Sequence, residues 1–297
     1  MRMNVFLLMV LLACTNNKKT LPESVGENAE IVFVSEDALW KNLIEPGAKD
    51  IFCKSIEGIN QPEPLFRISH LNYNEFSSIF KRHTNIILIS EGKQTSFEKN
   101  KWAKEQLVVQ LNWQGDPKEF FEEAIKVKSF FVAKEIKKIK KETRKHSKKK
   151  VEQDIKDNFG IDCIIPKEYV IANNDSLFFW ANFDHPKSDE IKNIFVFSFS
   201  PKSIKVKEEV LEKTDSIFFN YLKGKKQGSF ARIEPEYTPQ ADKNIYRGLW
   251  RLEKGFMGGP FVVKTYFVNQ KIVVAIGFLF APQKNKRKYI KEFEAIL

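Results

Sequence analysis

The pair Asp116-Pro117, followed by apolar residues at helical spacing, divides this chain in two. Aspartate is a favoured residue just before a helix, and proline suits the first helical position. Phe120, Ala124, Val127 and Phe131 then recur at steps of three and four, with Phe121, Ile136 and Ile139 beside them. That is the period of a helix with one buried face. Beyond Ile139 the apolar face gives way to lysines. Val151, Ile155 and Phe159 resume it, and Gly160 supplies a residue that tolerates a left-handed stop. One long basic helix is therefore expected across 117–159, with strand-rich sequence on either side.

The first segment, 30–159, opens on an apolar strand at Ile31–Val34. Ser35 is placed to cap a helix through Ala38, Leu39 and Leu43, which Pro46-Gly47 should stop. Strands are expected near 65–70, 85–90 and 106–113, and a short helix near 73–81. The second segment, 160–297, begins with a hairpin, 169–172 and 177–182, about Asn173-Asn174-Asp175. An alternating strand at 191–200 and an amphipathic helix at 205–222, closed by Gly224, come next. Strands near 244–253, 261–268 and 271–281 follow, and a closing helix over 285–297 buries Tyr289, Phe293 and Ile296. Clustered strands with helices at intervals make the class α+β. The expectation is two α/β sandwich-like segments with mainly antiparallel sheets, joined by the basic helix.

The N-terminus carries an address. Arg2 precedes eight consecutive apolar residues, Val5–Leu12, and Ala13 is the small residue before Cys14. This is the anatomy of a secretory signal over residues 1–13. Eight helical residues reach about 12 Å, too short for a hydrocarbon core of about 30 Å. Leu11-Leu12-Ala13-Cys14 resembles the bacterial lipobox. The resemblance implies cleavage before Cys14, attachment of acyl chains such as palmitate to its thiol, and a periplasm-facing, lipid-anchored place in the cell envelope. Residues 14–29 have little apolar content and are expected to form a flexible tether, with a reach of roughly 20 Å.

The net charge of +11 suggests nucleic acid, but its distribution argues otherwise. Lys134–Lys150 holds ten Lys or Arg against two Glu, so this one stretch carries most of the excess. A local stripe reads as a solvated helix end, or as a contact for an anionic surface beside the anchor. No nucleic acid is expected. Cys53 and Cys163 could pair in an oxidising compartment or remain free, and two residues give no spacing pattern to decide it.

No familiar catalytic spacing is present. The histidines at 70, 83, 146 and 185 do not fall three to five apart, and there is no CxxC, so neither a metal nor another cofactor is expected. GxSxG and Walker loops are absent. Gly224-Lys225-Lys226-Gln227-Gly228 has phosphate-friendly residues but follows a helix, and reads as a turn. The most unusual stretch is Tyr246–Arg251 followed by Gly255–Phe261. Alternation puts Tyr246 and Trp250 on one face and Arg247 and Arg251 on the other. A glycine-rich bend then brings Phe256, Met257, Gly258 and Gly259 to the sheet end. These residues read either as a hairpin with a hydrophobic tuck or as a recognition edge, with Arg247, Trp250, Phe256, Met257, Gly258 and Gly259 facing a glycan, peptide or envelope protein.

Two resemblances extend the reading. The element order of the second segment is similar to the PsbP/Mog1-like sandwich, which implies architecture alone. QPEPLFRISH at 61–70, KNKWAKEQLVV at 99–109, RGLWRLEKGFMGGPFV at 247–262 and FAPQKNKRKYIKEFEAIL at 280–297 resemble an uncharacterised lipoprotein family of Bacteroidetes-type bacteria. That resemblance implies location and organisation, and no catalytic residue. The expected function is a membrane-anchored, non-catalytic binding or assembly module. The alternative is an envelope hydrolase or processing enzyme with a nonstandard site drawing on His70, His83 or His185.

Overall fold

A computed structural model describes residues 20–92, 94–202 and 205–297. Cys14 and the signal segment lie outside the described residues. The chain is α+β and builds two sheets. In the first half come β1 (Glu30–Val34), α1 (Asp37–Leu39), α2 (Glu45–Phe52), β2 (Arg67–Leu71), β3 (Asn85–Glu91), β4 (Ser96–Lys99) and β5 (Leu107–Trp113). Their sheet has the order β2-β1-β3-β5-β4. Here the antiparallel expectation is corrected. β1 pairs parallel with both β2 and β3, and β3 pairs parallel with β5. Only β4, which sequence reading missed, runs antiparallel. The reason lies in β1 and β3, which are apolar on both faces. Ile31, Phe33, Ile87 and Ile89 join one core, while Val32, Val34 and Ile86 join another on the opposite side. Continuous apolar runs of this kind mark strands covered on both faces, the usual setting of parallel pairing, and α1 and α2 supply the crossover from β1 to β2.

Three local expectations also change. Ser35 is not a helix cap: it is fully buried, and the residue before α1 is Glu36. Pro46-Gly47 does not stop the helix. A π-helical turn, Trp40–Ile44, intervenes, and the helix runs on through Pro46 and Gly47 into α2, with Pro46 in its first turn directly after the π turn. Gly47 lies under the Phe121 ring, which would be 2.2 Å from any Cβ there. Residues 73–81 form turns and the start of a 3-10 turn, Phe80–Arg82.

Part of the expected tether is docked on the first sheet. Val25 donates to the Arg82 carbonyl and accepts from the Thr84 N–H, at 2.9 and 2.8 Å. Lys104 donates its backbone N–H to Pro22, and its side chain pairs with Glu23.

The long basic helix is two helices, α3 (Pro117–Lys145) and α4 (Lys149–Phe159). Asp116 caps α3 as expected, accepting from the Lys118 N–H at 2.8 Å. The break at 146–148 is held by backbone bonds from Lys148 N–H to the Ile165 carbonyl and from Lys167 N–H to the His146 carbonyl. Gly160 ends α4 with a φ of 73°.

In the second half come β6 (Val170–Asn174), β7 (Phe178–Asp184), β8 (Ile191–Phe199), α5 (Val206–Tyr221), β9 (Ala231–Ile233), β10 (Gln240–Asp242), β11 (Ile245–Leu252), β12 (Gly258–Val268), β13 (Lys271–Phe280) and α6 (Arg287–Ile296). The main path is β10-β11-β12-β13-β8-β7-β6, antiparallel throughout, with β9 on β11. β13 is central and apolar on both faces. Val273, Ala275 and Leu279 meet α4 and α6, while Val274, Ile276 and Phe278 meet α5.

The halves are clamped by charge as well as by packing. The loop around Ile56 and Ile59 inserts both residues into the core under α6. Glu63, from the same loop, accepts the backbone N–H groups of Lys286 and Arg287 at 2.5 and 2.9 Å, capping α6. Glu135 on α3 holds Arg287 with two bonds of 2.7 Å. Removing one member of such a buried pair leaves a charge without compensation. Arg287→Ala is expected to cost about 3–5 kcal/mol, read from urea unfolding, and a loss below about 1 kcal/mol would contradict the clamp.

Candidate ligand-binding site

The α5 side of the second sheet is only partly covered. Along β7, Trp180, Asn182 and Asp184 alternate onto this face, continuing from Phe178. On β8, Ile191 and Asn193 continue it from Phe195 and Phe197. Val210, Thr214 and Phe218 press α5 onto the middle of the sheet, but the helix ends at Tyr221. Past that end lies a cavity of about 1050 Å³, slightly above the usual size of small-molecule sites.

Its floor is aromatic. Trp180 donates its indole N–H to the Asn193 Oδ1 at 2.9 Å. Trp250, 6% exposed, donates its own to the Leu279 carbonyl at 3.1 Å. To do so it crosses its strand partner Gly259, where a Cβ would meet that same carbonyl oxygen at 2.2 Å. Gly259 is thus required by close approach. Phe278 completes the floor.

Two loops form the walls. The first is the turn after α5, closed by Gly224 N–H to the Ser229 carbonyl at 3.1 Å and tied to the second by Ser229 Oγ donating to the Glu253 carbonyl at 2.6 Å. Leu222, Lys223, Lys225 and Lys226 line it. The second carries Lys254, Phe256 and Met257, and Phe256 is 89% exposed. Lys223 lies over the Phe219 ring, 3.9 Å from its centroid. Among the described residues, no carboxylate comes within ion-pair distance of Lys225, Lys226 or Lys254.

The structure separates the residues singled out from sequence. Trp250, Phe256 and Met257 meet at this cavity. Arg247 does not: it points to the opposite face, where Glu294 of α6 pairs with it at 2.6 Å. Lys291 holds the other Glu294 oxygen at 2.8 Å. Burial alone would raise the Glu294 carboxyl, but Lys291 and Arg247 bring it below the usual range. Gly258 and Gly259 begin β12 and serve packing. Sequence reading missed Trp180 and Asn193, and set Lys225 and Lys226 aside as part of a turn. The signal was polar residues on the inward positions of β7 and β8, where a fully packed strand would carry apolar ones.

The histidines stand in different places. His70 stacks on Trp40 and has Nε2 3.0 Å from Ser35 Oγ, with Nδ1 3.9 Å from Asp37. This resembles a nucleophile–base–acid set, yet Ser35 is fully buried and the same Nε2 is 3.1 Å from the Ser35 carbonyl. The ring anchors a strand end, and the Ser35 hydroxyl is closed to solvent. His83 lies against Gly26 and Glu30, His146 sits at the helix break, and His185 is in an exposed loop. Among the described residues no cluster of three His, Cys, Asp or Glu is placed to hold a metal, and no helix is long and apolar enough to cross a membrane. Cys53 and Cys163 are free thiols, and burial pushes Cys163 up to about 12.

Residues 147–297, the whole of the cavity included, match the family model described as a domain of unknown function (DUF4837). The chain belongs to the DUF4837 family. Residues 24–152 match a second model, also described as a domain of unknown function (DUF8532). In this DUF4837 protein the two matches meet at 147–152, where α3 gives way to α4. No curated protein matches the chain.

The basic stripe is partly used internally. Lys138 and Lys141 pair with Glu105, Lys145 with Glu142 and Lys149 with Glu152. Lys134 is turned inward, donating to the Thr84 carbonyl, Thr84 Oγ1 and Asn85 Oδ1 at 2.9, 2.9 and 2.6 Å. Burial pulls this ammonium down to about 8. An unfolded lysine keeps its proton to about 10.4, so between those values the unfolded chain holds a proton that the folded chain has released. The stability from this site therefore rises with pH across that window. Urea midpoints at about pH 7.5 and about pH 9.5 should show wild type gaining on Lys134→Met, and a constant difference would refute the assignment.

Proposed function

We propose that this DUF4837 protein is a membrane-anchored lipoprotein of the bacterial cell envelope, periplasm-facing, and acts as a non-catalytic binding module. The cavity beyond the end of α5 carries the binding part of this reading. An aromatic floor and long, exposed lysines at the rim suit retention of a ligand with an apolar body. The anchoring part rests on Leu11-Leu12-Ala13-Cys14 and on the resemblance to Bacteroidetes-type lipoproteins. Lys137, Lys140, Arg144 and Lys150, exposed and without ion-pair partners among the described residues, are the part of the stripe left for an anionic surface. An envelope protein or glycan as a further partner fits the same location.

Two measurements test the two parts. Mass spectrometry of the mature N-terminus should find acylated Cys14, absent in Cys14→Ala; an unprocessed Met1 in wild type would reject the anchor. Nile red, a neutral apolar dye, should brighten on binding wild type. Asp184→Trp puts a bulky ring at an exposed position on the cavity wall and should suppress that signal. Equal dye binding by the two proteins would reject the cavity as a ligand site.

A further inference from the structure

We propose that the occupant of the cavity is an acylated lipid with an anionic headgroup, its chain on the aromatic floor and its head at the lysine rim. This rests on the reading of the cavity as a site for an apolar body and adds the ligand's charge and shape. The first support is charge complementarity. Four lysines line the cavity against one carboxylate, Asp184. Lys225, Lys226 and Lys254 have no carboxylate partner among the described residues, in contrast to the paired lysines of α3.

The second support is on the floor. Asn193 is 6% exposed, and its Oδ1 is occupied by the Trp180 indole. An indole N–H only donates, so it fixes the amide orientation. The Nδ2 donors have no acceptor among the described residues, in a wall that faces the cavity. These donors open onto the cavity, and an ester or phosphate oxygen of an entering lipid would accept from them. Lysines after a helix also offset the negative end of its dipole, which accounts for Lys223, Lys225 and Lys226. That role leaves Lys254, on the opposite loop, and the amide of Asn193 unexplained.

A matched pair of probes separates the terms. Lauroyl lysophosphatidic acid and monolauroylglycerol share a chain and an ester and differ in the phosphate. Both are titrated below their micelle concentrations into the purified full chain, with inorganic phosphate as a third arm. The phospholipid should bind at least about tenfold tighter than the neutral lipid, and added salt should narrow the gap. The triple variant Lys225→Gln, Lys226→Gln, Lys254→Gln changes exposed side chains only. It should abolish the difference while leaving monolauroylglycerol binding unchanged and lowering the urea midpoint only slightly, by the lost contact with the helix dipole. Equal affinities in wild type would overturn the anionic assignment and leave the apolar site standing. Phosphate alone binding as tightly as the phospholipid would overturn the lipid in favour of a free anion. Failure of both lipids to bind would sink the cavity reading itself.

Discussion

The paired charges of Glu135 and Arg287 hold this architecture in register. Each sits in a site largely closed to water, and neither belongs to the sheet that the other's helix covers. Buried ion pairs contribute little net stability compared with apolar contacts, because desolvation offsets most of the attraction. Their directional strength is different. Two parallel bonds fix both the distance and the rotation of α6 against α3, which apolar surfaces alone leave loose. The first turns of α3 pack on the first sheet, and its later turns reach α6, so one helix carries the position of one core to the other.

With α6 and α4 committed to one face of the second sheet, only α5 is available for the other. Its apolar residues suffice for the middle of that face and no further. The uncovered end survives as a shaped cavity and does not collapse, because its walls are bonded to each other and its floor to the sheet. Ser229 ties loop to loop, and Trp250 is bonded across Gly259. Walls bonded to each other around a mostly apolar hollow are the usual condition for a site formed in advance of its ligand.

Much of this was legible in the residues. Asp116-Pro117 marked a helix start, Gly160 a helix end, and the order of elements in the second half followed from alternation and period. The direction of the first sheet was also written in the double-sided apolar runs of β1 and β3, although short apolar strands are easily taken for either kind. Other features are invisible to local pattern. The break at 146–148 is imposed by residues 165–167, which compete for the helix backbone. Arg247 looked like an exposed binding residue because alternation gives its face but not what covers that face; α6 covers it. The cavity itself is a shortage, the length that α5 lacks relative to the strands beneath it, and no single residue announces a shortage.

The cap that Glu63 places on α6 bears on what counts as a unit in this chain. The helix begins 224 positions after the residue that satisfies its first N–H groups. Ile56 and Ile59 fill the core beneath the same helix. The stretch recognised as DUF4837 therefore contains its sheet but not everything that completes its hydrophobic interior. Sequence kinship and cooperative folding draw different borders here. The loop near residue 60 belongs by descent to the first half and by thermodynamics to the second, so the two are expected to melt as one body.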